Sequence, residues 1–182
     1  RLQEHEFFAN EEKCEFLLEE VEFLGYLIGR GEIKPAPSKV KCIKQWTPPK
    51  NVKEVRAFIG LCSYYRKFIR EFAHTAGPLY KLTCLGAHFT FGKAETQAFE
   101  SLKAAITSES ILRLPDFTKP FQVETDASGF ATGAVLTQDF GGTQLPIAFE
   151  SRRMNTAETR YPVHEQEMLA IVKACKAFRC YI

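Results

Sequence analysis

From Pro120 onward the chain carries three alternating segments in close succession and then a helix, and that order leaves few folds open. Residues 121–126, 132–138 and 144–151 read as strands, with Gly141-Gly142 turning the second into the third. A helix follows over 163–181. Strands joined this tightly pair antiparallel, because a parallel neighbour needs a crossover connection of about a dozen residues or more. The expected architecture is α+β: an antiparallel meander covered on one face by the helix.

Upstream the pattern is more broken. Residues 13–18 and 20–28 read as two short strands, with Gly25 interrupting the second and Gly29-Arg30-Gly31-Glu32 forming a turn. Pro35, Pro37, Pro48 and Pro49 bracket a short helix at 38–46. Asn51, three residues ahead of Glu54 and just before an apolar-periodic run, is a variant capping box for a helix expected to reach Phe72. Residues 73–93 read as a mixed connector. A helix covers 94–108 with Phe99, Leu102 and Ile106 inward, and Leu114-Pro115-Asp116 follows as a break.

The 51–72 segment has two faces. At about 100° per residue, Val55, Phe58, Ile59, Leu61, Cys62, Tyr65, Phe68, Ile69 and Phe72 fall in one arc. The opposite arc holds Lys53, Arg56, Gly60, Ser63, Lys67 and Arg70, with Tyr64 at its edge. A glycine inside a helix costs about 1 kcal/mol against alanine. Here it sits among cations, where bare backbone lets another backbone come close. A nucleic-acid duplex fits that face, with phosphates for the cations and a groove edge for Gly60 and Tyr64. A solvated cationic face with a tolerated glycine gives the same pattern.

Two acids stand out. Asp126 ends an alternating strand and precedes Ala-Ser-Gly, small residues that let a ligand approach. An Asx-turn at a strand end is the plain alternative. Glu167 shares the apolar arc of its helix with Ile171, Ala174 and Phe178, whereas Glu165 points to the polar side near Lys176. A carboxylate on a buried face needs a partner. A divalent metal shared with Asp126 supplies one; a backbone group or Arg152 is the alternative. Carboxylate sites of this kind hold magnesium, and paired ions clamp an in-line attack on a phosphodiester. His164 lies on the same apolar side and reads as a packed core histidine.

Composition adds bounds. At 182 residues the chain is one large domain or two small ones. A net charge of +2 is too weak to argue for nucleic acid, so the distribution of charge must carry that argument. The six cysteines (14, 42, 62, 84, 175 and 180) form no C-x-x-C pair and no zinc spacing, which reads as reduced thiols in an intracellular protein. No signal peptide and no apolar run of spanning length is present, so no membrane partner is expected. Arg1 opens without a methionine, and Ile182 ends a running apolar helix without a cap; both read as the ends of an internal piece of a longer protein.

Several runs together resemble the Pol polyproteins of gypsy-class LTR retrotransposons. Lys13-Cys14-Glu15-Phe16 and Val21-Glu22-Phe23-Leu24-Gly25-Tyr26-Leu27-Ile28 resemble the end of a reverse transcriptase palm. Val52-Lys53-Glu54-Val55-Arg56-Ala57-Phe58-Ile59-Gly60-Leu61 and Tyr64-Tyr65-Arg66-Lys67-Phe68-Ile69 resemble its thumb. Leu114-Pro115-Asp116-Phe117, Thr125-Asp126-Ala127-Ser128, Gly133-Ala134-Val135-Leu136 and the run from Tyr161-Pro162 through Glu167-Met168-Leu169-Ala170-Ile171-Val172 resemble the start of the linked RNase H domain. The similarity covers nearly the whole chain, in the family's order.

The resemblance implies three regions: residues 1–34 as the C-terminal edge of the palm with a primer-grip-like hairpin, 35–93 as helical thumb and connector, and 94–182 as a linker helix and the N-terminal half of a truncated RNase H-like βββα unit. Phe23, Leu24, Gly25 and Tyr26 would grip the primer terminus. Gly60 and Tyr64 would track the minor groove, with Lys53, Arg56 and Lys67 near phosphates. Asp126 and Glu167 would be the first two of four RNase H carboxylates on magnesium. The implied partners are an RNA–DNA hybrid or DNA duplex and the rest of the polyprotein, in the cytoplasm (in a virus-like particle) or the nucleus; open sheet edges allow self-association. The intact protein would copy RNA into DNA and cleave the RNA of the hybrid. The polymerase Tyr-x-Asp-Asp motif and the last two RNase H acids are absent here, so whether this chain is itself an enzyme is left open. A non-enzymatic nucleic-acid-binding or interaction remnant of a decayed or host-adopted element is the other reading.

Overall fold

Two residue pairs with positive φ, Leu24-Gly25 (48° and 77°) and Arg30-Gly31 (51° and 74°), fold the N-terminal strands back on one another. Left-handed geometry at both turn residues gives a twist that matches the flanking strands, which is why two-residue hairpins use it. The computed structural model describes residues 1, 3–10, 12, 14–108 and 111–182. Strands β1 (Glu20–Phe23), β2 (Tyr26–Gly29) and β3 (Glu32–Pro35) pair antiparallel, with Phe23 opposite Tyr26 and Gly29 opposite Glu32. Gly25 therefore does not interrupt one strand over 20–28; it closes a hairpin between two. Of the strand expected over 13–18, Lys13 lies outside the described residues and 14–18 are irregular. Phe16 and Leu17 are exposed, so apolar content alone made no strand there.

The helices α1 (Pro37–Lys44) and α2 (Val52–Tyr64) follow. Asn51 caps α2: its Oδ1 accepts the Glu54 N–H at 2.9 Å, while the Glu54 carboxylate accepts the Lys50 N–H at 2.7 Å. Such a cap contributes about 1 kcal/mol. The helix expected to reach Phe72 stops at Tyr64. A 3₁₀ turn covers Arg66–Phe68, Ile69 is extended and Glu71 is left-handed before α3 (Phe72–Thr75) begins. Tyr65, Phe68, Ile69 and Phe72 are nevertheless all buried. The break keeps the apolar spacing of a helix, so the pattern hid it. The connector expected over 73–93 contains α3 and α4 (Gly77–Leu82). Gly77-Pro78 starts α4, because a proline in a first turn gives up no needed hydrogen bond.

Helix α5 (Lys93–Thr107) lays Ala98, Phe99, Leu102 and Ile106 into the core formed by Ile43, Val55, Phe58, Cys62, Tyr65 and Leu79. The two-residue strand β4 (Leu112–Arg113), too short to show a period, pairs Leu112 with Ile33 and so completes a four-stranded sheet.

The meander forms as expected: β5 (Gln122–Ala127), β6 (Ala131–Asp139) and β7 (Gln144–Arg153), antiparallel in that order. Val123 pairs with Leu136 and Leu136 with Ala148. Helix α6 (Val163–Ala177) sets Ala174, with Phe178 just beyond it, against Leu136, Ile147 and Ala148. The meander is covered on its other face too, against the expectation of a single cover. Phe149 packs on the first core, and the Ala73 N–H donates to Ser151 Oγ at 3.0 Å. Buried Gln138 ties in the preceding loop: its amide oxygen accepts the Asp116 N–H (2.9 Å) and its NH₂ donates to the Asp116 and Lys119 carbonyls (2.8 and 3.2 Å). Among the described residues no helix is long and apolar enough to cross a membrane.

Candidate nucleic-acid interface and acid cleft

The hairpin turn and α2 are joined by three tyrosines. The Tyr26 ring stacks on Tyr64 with centroids 5.2 Å apart and planes 16° apart. Its hydroxyl donates to the Tyr64 carbonyl at 3.0 Å. In return the Tyr64 hydroxyl donates to the Leu24 carbonyl, and the Tyr65 hydroxyl to the Gly25 carbonyl at 3.0 Å. The Leu24 and Gly25 carbonyls of the turn thus both meet phenolic donors at one helix end, and the Gly25 carbonyl also accepts the Ala36 N–H at 2.9 Å. Burial, with Tyr64 and Glu22 nearby, pushes the Tyr65 hydroxyl up to about 12. Burial and Tyr64 raise that of Tyr26 as well. Both stay protonated donors at neutral pH.

Around this lock the other expected contact residues are open. Phe23, Leu24 and Tyr64 are exposed. Lys53, Arg56, Gly60 and Lys67 are exposed as well. A Cβ built on Gly60 meets nothing within 4 Å, so the bare backbone there faces free space. The Arg56 guanidinium donates to the Thr83 carbonyl at 3.1 Å, which fixes its position while leaving further N–H groups available. Arg66 turns the other way. It donates to Glu150 Oε1 at 3.1 Å and to the Ser151 carbonyl, clamping the 3₁₀ turn onto β7. Its Nε is buried without a hydrogen-bond partner.

Asp126 sits elsewhere. Val123 packs toward α6, and Asp126, three residues on, presents to the opposite face with its pairing partner Gly133. That face opens into a cleft of about 330 Å³ lined by Arg70, Glu71, His74, Glu124, Asp126 and Ser128, among others. Ser128 closes the strand turn, its N–H donating to the Ala131 carbonyl at 2.8 Å and its Oγ accepting the Ala131 N–H at 3.2 Å. The His74 ring leans on Phe130 with centroids 5.2 Å apart. Arg70, Glu71, His74 and Glu124 were absent from the sequence-derived acid site. Arg70 and His74 lie about fifty residues from Asp126 along the chain, and no local pattern links them.

Glu167 lies on α6, half-buried, outside the lining of that cleft. The buried line of the helix runs through Gln166, Ala170, Ala174 and Phe178. It is rotated toward Gln166 from the arc drawn through Ile171, which is 44% exposed. The alanines let the helix approach the sheet closely, whereas a count of apolar side chains favoured the larger ones. His164 is exposed, not packed in the core. Hard divalent cations take about six oxygen ligands. Among the described residues no group of three or more His, Cys, Asp or Glu side chains stands together to hold a metal. The two acids do not by themselves fit a magnesium ion.

A family model described as the RNase H-like domain found in reverse transcriptase matches residues 91–182. The retrovirus-related Pol polyprotein from transposon opus of Drosophila melanogaster is 43% identical over 185 residues, covering 96% of this chain and 18% of that protein. That from transposon 297 of the same organism is 46% identical over 172 residues, covering 94% and 16%. The transposon Tf2-3 polyprotein of Schizosaccharomyces pombe is 37% identical over 183 residues, covering 100% and 14%. The chain thus spans less than a fifth of the length of these relatives. Among solved structures, the foamy viral protease-reverse transcriptase in complex with RNA/DNA hybrid superposes with a TM-score of 0.77 at 25% identity, over 92% of this chain and 23% of that one. The same enzyme in complex with dsDNA gives 0.76 at 26%, over 91% and 35%.

Proposed function

The chain belongs to the RNase H-like domain family found in reverse transcriptase, and from that membership we propose that it is the duplex-holding part of a retrotransposon Pol polyprotein's reverse transcriptase/RNase H region. Residues 1–34 are then the edge of the palm with a primer-grip-like hairpin, 35–93 the thumb and connector, and 94–182 the linker helix and N-terminal half of the RNase H-like domain. The observation that carries this reading is the tyrosine lock. It joins the turn Phe23–Tyr26, with Phe23 and Leu24 exposed, to the end of α2, whose exposed side offers Lys53, Arg56 and bare Gly60. A duplex lying along α2 meets cations for its phosphates, open backbone at its groove, and an exposed aromatic and aliphatic turn at one end. The foamy viral relatives are complexes with RNA/DNA hybrid and with dsDNA, which supports that class of partner.

Titration of a labelled RNA–DNA hybrid across a range of salt tests this. Binding is expected to weaken steeply with salt. Arg56→Ala combined with Lys67→Ala is expected to lower the log–log slope by about two, one for each phosphate left without its cation. Salt-independent binding, or a double variant indistinguishable from the parent, overturns it.

A second reading, binding without cleavage, is favoured by the placement of the acids. Asp126 lines the cleft, Glu167 does not, and among the described residues no group of three or more His, Cys, Asp or Glu side chains is arranged to hold a metal. As members of this family the two acids would be contributed to a divalent magnesium centre, which activates water for attack on a phosphodiester. Alone they hold too few ligands for it. The expected outcome with hybrid and magnesium is retention without RNA cleavage; cleavage abolished by Asp126→Asn would instead give this chain a working site.

A further inference from the structure

We propose that Arg70 is a phosphate-binding residue that carries the duplex track of α2 into the cleft of Asp126, so that one nucleic-acid strand is held by both halves of the molecule; this rests on the duplex-holding reading above. The segment between α2 and α3 is pinned to the meander at both ends. Arg66 is bonded to Glu150 and to the Ser151 carbonyl, and the Ala73 N–H to Ser151 Oγ. Arg70 lies between these two attachments, is exposed, and lines the same cleft as Asp126. Lys67, three residues earlier, is exposed and in no ion pair among the described residues. The exposed cations Arg56, Lys67 and Arg70 follow one another in that order along the chain, and the last of them lines the cleft, while Arg66 is consumed in holding the segment down.

The cleft needs such a residue if a strand is to enter. Glu71, Glu124 and Asp126 line it, and three carboxylates repel a phosphate. Against them stand Arg70 and the imidazole of His74. Of the two, arginine is charged at every working pH and offers a planar fork that matches phosphate oxygens two at a time. The sheet below is smooth where the strand would pass, because Gly133 faces Asp126 across β5 and β6.

The test is hybrid binding by the full chain with Arg70→Ala, read by salt dependence and by hydroxyl-radical footprinting of the nucleic acid. Affinity is expected to fall roughly three- to tenfold and the log–log salt slope by about one. Protection is expected to shorten at one end of the footprint only, with the thermal midpoint unchanged. Arg70→Lys is expected to restore the slope but only part of the affinity, since lysine keeps the charge and loses the fork. A parent that binds with the full slope beside an Arg70→Ala variant with the same slope and footprint overturns this proposal and leaves the duplex-holding reading intact. A parent that does not bind hybrid at all overturns both.

Discussion

Tyr26 and Tyr64, thirty-eight residues apart, lie ring on ring at 5.2 Å with the Tyr26 hydroxyl donating to the Tyr64 carbonyl at 3.0 Å. Through that contact, and the bonds of Tyr64 and Tyr65 to the Leu24 and Gly25 carbonyls, an exposed hairpin and a helix end become one rigid element. The hairpin lies at one edge of the four-stranded sheet, and its turn contains a leucine in left-handed geometry.

That leucine is the first point to test. Leu24 has φ 48° and is exposed, so it contributes strain without burial. Leu24→Asn suits the turn better and is expected to raise stability by roughly 0.5–1 kcal/mol. Gly25→Ala acts in the opposite direction, because φ is 77° and the added Cβ would stand 3.2 Å from the Tyr65 hydroxyl. Urea melts of both variants check this; an Asn variant less stable than the parent refutes the turn argument.

Gly60 separates folding from binding. Its helical position and the empty space beyond its Cα mean that Gly60→Ala should keep or raise stability, by up to about 1 kcal/mol. The same methyl stands where a duplex backbone or groove edge would approach, so hybrid affinity should drop. Equal affinity in the two proteins would show that nothing comes close to this face.

The Arg66 clamp predicts coupling. Arg66 and Glu150 pair at 3.1 Å with side chains 35% and 24% exposed. Arg66→Ala removes this pair and the bond to the Ser151 carbonyl, and is expected to cost about 1–3 kcal/mol. In a double-mutant cycle with Glu150→Gln the two losses should be less than additive. Additive losses would mean that the pair holds nothing down.

The tyrosine lock should open in alkali. A tyrosine whose folded pKa is raised contributes stability that is complete below its unfolded value, near 10. The contribution is lost as pH rises through the folded value, about 12 for Tyr65. Stability should therefore fall between about pH 10 and 12, and Tyr65→Phe should flatten that fall while losing roughly 1 kcal/mol at neutral pH with its bond to Gly25. A pH profile unchanged by Tyr65→Phe counts against the lock.

Much of the architecture was readable along the chain. The three strands of the meander, the helix over 93–107 and the cap of Asn51 on Glu54 each rest on a signal contained within a few residues. The buried face of α2 was readable too, since every residue from Val55 to Phe72 that the period assigns inward is buried or, for Leu61, partly so. The break after Tyr64 was not. A 3₁₀ turn and an extended residue happen to carry Tyr65, Phe68, Ile69 and Phe72 inward at helical spacing. Periodicity reports which side chains go in and is silent on the backbone that takes them there.

The meander, the capped start of α2, its cationic side and the family were legible in the chain, because turn chemistry, capping and period act between residues close together. Which distant groups meet depends on the packing of whole elements. That packing brought Arg70 and His74 into one cleft with Asp126, turned Arg66 away from the cations of α2, and rotated α6 so that Ala170 and Ala174, not Ile171, are buried. Those outcomes depend on how closely whole elements can pack, and small side chains set that distance. A linear pattern weighs a side chain by its polarity; the fold weighs it by the room it leaves.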